Sequence, residues 1–398
     1  MMNSRENKGL AIVAQSDITR EGNIWLVPSQ TTSKVYKTDL FLHTCTCADF
    51  QDSSDTCKHL YAVQHLVRQY GGAVLPKAEP KPSYAQAWTS YNRAQANEKS
   101  RFLELLYELC AGVQEPVQTF GRPRLSFADR LFSVVFKVYA GVSSRRFSSE
   151  LRDALGKGFL SSAPHFNSVS NYLDDETLTP YLKELITKSA LPLKAVESDF
   201  AVDSSGFSTG RFVRWVDVKY GRRDDWHDWV KVHLMCGVKT NVVTSVEVSE
   251  RFANDSPYLK PLLETTLAGG FGVKEVSADK GYDSHKNRVL VLVKGAQPYI
   301  PYREMREGEK RKNRGETWER LYHLYKYNEA EFNAHYHKRS NVETTFAMIK
   351  AKFGERVRSK TATGQINEVL CKVLSHNLCC VIQSIYELGI EPTFLNEP

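Results

Sequence analysis

Apolar positions between residues 101 and 191 recur every three or four residues. Phe102, Leu106 and Leu109 form one stripe, and Phe127, Leu131, Val135 and Val138 form another, the spacing at which side chains share one face of a helix. Ser126 and Asp129 head the second stripe in capping-box order, which predicts a helix start. Ser144 to Leu155, a break at Gly156 and Gly158, and Asn167 to Tyr172 fit a helix-turn-helix whose second helix would offer Asn167, Ser168 and Asn171 to base edges. An ordinary helical bundle fits equally well.

Beyond residue 194 the pattern changes to runs rich in Val, Phe and Trp. Ser198–Ser204, Phe212–Tyr220, Trp229–Val238 and Val242–Ser249 read as successive strands. Helix and strand patterns then alternate: helix over 257–268, strand over 273–278, helix over 284–294, a short strand over 299–302 and a long helix over 329–353. Strands in a meander and then interleaved with helices predict an α/β fold, a mixed sheet with helices on its faces. At the other end of the chain, strands at 24–27 and 34–42 and a helix over 57–70 enclose too little apolar surface for a self-sufficient core. Pro76, Pro80 and Pro82 among polar residues read as a linker. The expected organisation is a small module at 1–71, a linker at 72–100, a helical DNA-binding domain at 101–191 and an α/β domain at 194–390.

Composition agrees with a folded protein. Of 398 residues, 41% are hydrophobic and 25% charged, which excludes wholesale disorder. The longest uninterrupted aliphatic run, Val289 to Val293, is far short of a membrane span, and the first residues lack a signal-peptide core. A cytoplasmic protein with no membrane partner is expected. The net charge is +7, and residues 302–360 hold 15 Lys and Arg against 9 Asp and Glu, so the excess is concentrated where a polyanion could bind.

Three of the eight cysteines crowd together. Cys45-x-Cys47 and Cys57-x-His59 offer three thiolates and an imidazole, the donor set of a closed tetrahedral Zn²⁺ site that would staple the small module structurally. His43 and His65 are spare candidates. The other five cysteines, in apolar segments, are expected to be buried thiols.

Three carboxylates stand where they can work together. Asp203 closes one apolar run before Ser204-Ser205-Gly206, and Asp279 closes another before Lys280-Gly281, so both are expected at strand ends, where sites of α/β sheets assemble. Tyr336, Arg339, Glu343 and Lys350 are spaced by three, four and seven residues, placing all four on one stripe of the long helix. A sheet-packing stripe should be apolar, so this one borders a charged site or solvent. Asp199 and Asp283 rank below these acids, the charged run at 222–229 reads as a hairpin, and no G-x-S-x-G elbow accompanies Ser204 or Ser205.

These motifs carry two resemblances. The C-x-C and C-x-H pairs resemble the SWIM zinc finger, which implies an accessory module that binds DNA or protein. Tyr336-x2-Arg339-x3-Glu343-x6-Lys350, with DSSGF at Asp203 and ADKGYDS at Asp279, resembles the Y-R-E-K group of bacterial insertion-sequence DDE transposases over residues 101–390. That resemblance implies a ribonuclease-H-like core in which Asp203, Asp279 and Glu343 hold two Mg²⁺ or Mn²⁺ ions. It also makes Tyr336, Arg339 and Lys350 contacts to DNA ends, with the basic segment from Arg303 to Lys312 and Arg314 extending that surface and Trp318 a candidate base-stacking wedge. The expected activity is cleavage of double-stranded DNA at element ends and joining of the 3′-OH ends to target DNA, by a homodimer. A ribonuclease-H-like nuclease that never joins, or a domesticated DNA-binding protein without turnover, are the alternatives.

Overall fold

The structure, a computed structural model, describes residues 4–30, 32, 34–53, 55–70, 87–118, 124–209, 229–303 and 316–394. The chain divides into two compact units, Met1–Gln86 and Ala87–Pro398.

In the first unit, α1 (Ser4–Gln15) precedes β1 (Thr19–Glu21), β2 (Ile24–Pro28), β3 (Val35–Asp39) and β4 (Thr44–Cys45), which pair antiparallel in chain order. The helices α2 (Ala48–Ser53) and α3 (Lys58–Tyr70) follow. α1 and β1 lie outside the elements read from the sequence, because α1 buries only Gly9 and Ile12 and so shows little periodicity. Gly9 lets α1 cross α3 closely: a β-carbon there would lie 2.8 Å from Tyr61 Cβ. Ile12, Ile18, Trp25, Val27, Ala62, Val63 and Leu66 form a small core, and the cysteines with Leu60 form a second cluster.

The second unit opens with α4 (Trp88–Ala111), α5 (Phe127–Ala140), α6 (Ser144–Gly156), α7 (Phe166–Leu173) and α8 (Leu178–Ala190). Ser126 Oγ accepts from Asp129 N–H at the start of α5, as the pattern predicts. Asp129 does not close the box, because its carboxylate takes the backbone N–H and hydroxyl of Ser161 instead. α4 begins well inside the stretch read as linker. Residues 88–100 contain no proline and several good helix formers, so they extend the helix, while residues 71–86 lie outside the described residues.

Next come β5 (Asp199–Ser208), β6 (Trp229–Gly237), β7 (Val243–Ser249), α9 (Leu259–Ala268), β8 (Glu275–Ala278), α10 (His285–Val293) and β9 (Gln297–Tyr299). They form one mixed sheet in the order β7-β6-β5-β8-β9, antiparallel through β7, β6 and β5 and parallel through β5, β8 and β9. The strand read at 212–220 and the charged run at 222–228 lie outside the described residues. β9 is earlier than the sequence pattern placed it, because Arg288 takes the carbonyls of Ile300 and Pro301 and draws them out of the ladder.

The chain closes with α11 (Glu316–Tyr327), α12 (Glu329–Tyr336), α13 (Ser340–Phe353) and α14 (Ala362–Leu388). The long helix expected over 329–353 is thus two helices joined by a 3₁₀ turn at His337–Arg339. α14 is long and apolar enough to cross a membrane, yet 78% of its apolar window is buried, and it packs on α4, α5, α8 and β7 as a core helix. Asn377 on α14 ties the helical part to the sheet: its Oδ1 accepts from Val243 N–H, and its Nδ2 donates to the carbonyls of Ile186 and Val243. The segment 101–191 and the sheet therefore share one apolar core. The scattered Cys110, Cys236, Cys371 and Cys380 are buried, and Cys379 is half-buried.

Candidate active site and metal centre

The parallel ladder between β5 and β8 brings two acids together. Asp199 pairs with Glu275 and Val202 with Ala278, so the next positions in the same register are Asp203 and Asp279. Asp203 is not at a strand end, as the sequence suggested. β5 continues through Ser204-Ser205-Gly206 to Ser208 because β6 pairs with it along that whole length. Only the β8 side ends at Asp203, and there Asp279 turns away as the cap of a 3₁₀ turn, its Oδ1 accepting from Gly281 N–H at 2.7 Å. Asp203 Oδ1 accepts from Ser204 N–H at 2.8 Å.

The break between α12 and α13 supplies two cations, and the first turn of α13 the third acid, Glu343. Lys338 Nζ lies 2.7 Å from both Asp199 and Glu275, which consumes the earlier acid pair. Arg339 reaches Asp203 of the later pair and Glu343 on its own helix, with Nη1 2.8 Å from Asp203 Oδ2 and Nη2 2.5 Å from Glu343 Oε1. Tyr336 lies beside it, its ring centroid 6.0 Å from the guanidinium carbon. Burial pushes the Asp203 carboxyl up to about 6, and the nearby charges of Asp279 and Glu343 add to this, while Ser204 N–H and Arg339 oppose it. Asp203 and Glu343, bridged by one guanidinium, and Asp279, whose charge also acts on Asp203, offer hard oxygens of the kind that suits Mg²⁺ or Mn²⁺.

In the first unit the ligand atoms of Cys45, Cys47, Cys57 and His59 lie within 4.8 Å of one another, all four residues buried, and they are the one such group of three or more among the described residues. His59 turns Nδ1 toward the thiols, 3.9 Å from both Cys45 and Cys57 Sγ, with Tyr36 packed 4.6 Å from its ring. A hydrogen bond between the Cys45 and Cys57 sulfurs pulls Cys45 down and holds Cys57 up, so the cluster resists full ionisation unless a cation balances it. The spare candidates are elsewhere: His43 bonds Thr56 Oγ1 and His65 faces Glu6.

Residues 194–378 match the family described as the transposase DDE domain, and residues 25–64 match the SWIM zinc finger. The chain carries a transposase DDE domain behind a SWIM zinc finger. No curated protein matches the chain. The sheet is accordingly the ribonuclease-H-like sheet of a DDE domain.

Within the DDE domain the other residues singled out in the sequence take different places. Lys350 is two turns along α13 from Glu343, its Nζ 3.2 Å from Glu355 and 5.5 Å from the Phe207 ring, outside the acid cluster. Asp283 supports the turn after Asp279: it pairs with Arg288 at 2.5 Å and accepts Arg303 N–H. His233 is buried and stacked on Tyr258. Trp318 is no exposed wedge. It is 7% exposed and stacked on Tyr322 against Tyr302, because α11 is amphipathic and turns its aromatic face inward. Residues 304–315, most of the expected basic extension, lie outside the described residues.

Two residues take parts that the sequence did not assign to them. Gly281 is required sterically, since a β-carbon there would lie 2.8 Å from Asp279 Oδ1. Gly281→Ala is expected to lower DNA cleavage by ~10²-fold while costing about 1–3 kcal/mol of stability, measured by cleavage assay and thermal melt; unchanged cleavage would show that the turn does not set Asp279. The second is Asp255, whose Oδ1 accepts from Ser204 Oγ at 2.8 Å and pairs with Lys231 at 2.7 Å. No pattern in the sequence marks it, because its partners come from two other strands.

Proposed function

We propose that the protein is a DNA transposase of the Y-R-E-K group that binds element ends, cleaves them and joins the freed 3′-OH ends to target DNA. The observation that carries this reading is the register of β5 and β8, which makes Asp203 and Asp279 neighbours, with Glu343 brought to Asp203 through Arg339. Asp203, Asp279 and Glu343 would hold two divalent ions, Mg²⁺ or Mn²⁺. Such ions would supply charge to activate the attacking oxygen and to stabilise the leaving one in an in-line displacement. Arg339 neutralises the acids in the meantime and, released from them, is free to grip a DNA phosphate in a bidentate manner. Tyr336 beside it can hydrogen-bond a phosphate or stack on a base, and Lys350 supplies a point charge farther along the backbone. In the helical part, α7 exposes Asn167 and Asn171, as recognition of the duplex by this segment requires. Cys45, Cys47, Cys57 and His59 hold a structural Zn²⁺. A homodimer, acting in the cytoplasm, would let two ends be processed together.

The test is to incubate the purified chain with Mg²⁺ or Mn²⁺ and a DNA fragment carrying its own gene and flanks, and to map new 3′-OH ends beside a Glu343→Gln control. Ends at the gene's borders with joined products, lost in the control, are expected. Cuts without joining would favour a nuclease, and binding without any metal-dependent product would favour a DNA-binding protein that has lost its chemistry.

A further inference from the structure

Asp255 stands immediately before the 3₁₀ turn Ser256–Tyr258, between β7 and α9. Side chains alternate across a strand, so Ser204 points to the face opposite Asp203, and there its hydroxyl donates to Asp255 Oδ1 at 2.8 Å. Lys231 on β6 supplies the countercharge to the same oxygen at 2.7 Å, and His233 Nδ1 lies 3.6 Å from it. The other oxygen, Oδ2, faces Gly281, where a β-carbon would come 3.1 Å from it and 2.8 Å from Asp279 Oδ1. One carboxylate thus bonds one support of the acid pair and lies beside the other. Ser204, which it anchors by the hydroxyl, orients Asp203 through its backbone N–H. Gly281, beside which its Oδ2 leaves room for no side chain without adjustment, orients Asp279 through its own.

We infer that Asp255 is a positioning residue of the catalytic centre, holding the Asp203 strand and the Asp279 turn at the separation that shared divalent ions require. This rests on the reading of Asp203, Asp279 and Glu343 as metal ligands. Asp255 itself works from behind the strand, with Oδ1 committed to Ser204 and Lys231. Partners that orient metal ligands in this way change metal affinity by roughly 10–100-fold when removed, whereas a purely structural acid would change stability instead.

The experiment is a Mn²⁺ titration of the full chain, followed by electron paramagnetic resonance, on the parent, Asp255→Ala, Asp255→Asn and Asp203→Asn. Asp255→Ala is expected to weaken Mn²⁺ binding ~10-fold or more without changing the affinity for DNA ends. Asp255→Asn keeps an acceptor for Ser204 and should recover part of the loss. In cleavage assays the metal concentration for half-maximal rate should rise in parallel. Unchanged Mn²⁺ affinity in Asp255→Ala would overturn the proposal while leaving the triad intact. So would a lower melting temperature with normal metal affinity, which is the mark of a structural role. If Asp255→Ala does not fold, the near-isosteric Asn variant decides alone. A parent that binds Mn²⁺ no better than Asp203→Asn would instead overturn the reading of the triad, and this inference with it.

Discussion

Asp203→Asn is expected to lower metal-dependent DNA cleavage by at least ~10³-fold, equivalent to about 4 kcal/mol of transition-state stabilisation, and to leave the metal-free chain no less stable than the parent. The two effects have one cause. Asp203 is largely buried beside Asp279 and Glu343, and burial first, then those charges, push its carboxyl from 3.8 up to about 6. An acid whose value is raised by folding favours the fold in its protonated form. That contribution is complete below about pH 3.8 and is lost as the pH rises through 6; above this the buried charge costs on the order of 2–3 kcal/mol. Asn cannot ionise and escapes the cost. In denaturant melts without metal the variant should therefore match or exceed the parent at pH 7.5, with the gap closing near pH 4. Divalent metal should raise the parent's midpoint at pH 7.5, raise it less at pH 5, where protons compete for Asp203, and leave the variant unmoved. Retained cleavage in Asp203→Asn would exclude this carboxylate as a ligand.

Removing zinc, by chelation or by Cys57→Ser, is expected to unfold the Met1–Gln86 unit while Ala87–Pro398 keeps its own transition. The first unit rests on a seven-residue apolar cluster and the cysteine cluster, too little for a stable small domain without a staple. Structural zinc sites contribute roughly 10–16 kcal/mol in finger peptides at neutral pH, more than so small a core supplies. Ser at position 57 removes a fully buried thiol, and without a cation the remaining sulfurs and His59 Nδ1 face one another unbalanced. Calorimetry should show the low-size transition disappear and the larger one persist at its original temperature. End-binding measured on the same Cys57→Ser protein then tells whether the finger contributes to DNA recognition. A finger unit that still melts cooperatively in excess chelator would refute the structural role of the metal.

Much of the architecture was legible because it is local. The C-x-C and C-x-H spacing marks the metal cluster without reference to the rest of the chain, the period of apolar residues marks α5, α6, α10 and the central strands, and Ser126 marks a helix start through its own side chain. Reading failed where a local pattern meets a distant partner. Proline-rich composition concealed the first half of α4, whose place in the shared core comes from packing on α14. The same applies to the break at His337–Arg339: nothing in the local sequence stops the helix there, but Lys338 reaches acids on β5 and β8 and Arg339 reaches Asp203 on β5.

The amino-acid sequence by itself nominated the side chains to which the proposed chemistry is assigned: the four soft ligands, Asp203, Asp279 and Glu343, and the basic and aromatic residues around them. Only the tertiary structure decided how they act together. The parallel register of β5 with β8 sets Asp203 against Asp279, Arg339 bridges Asp203 and Glu343, and Asp255 bonds Ser204 on the opposite face. Such relations depend on strand pairing between segments some 75 residues apart, and no periodicity within either segment encodes the register of the other.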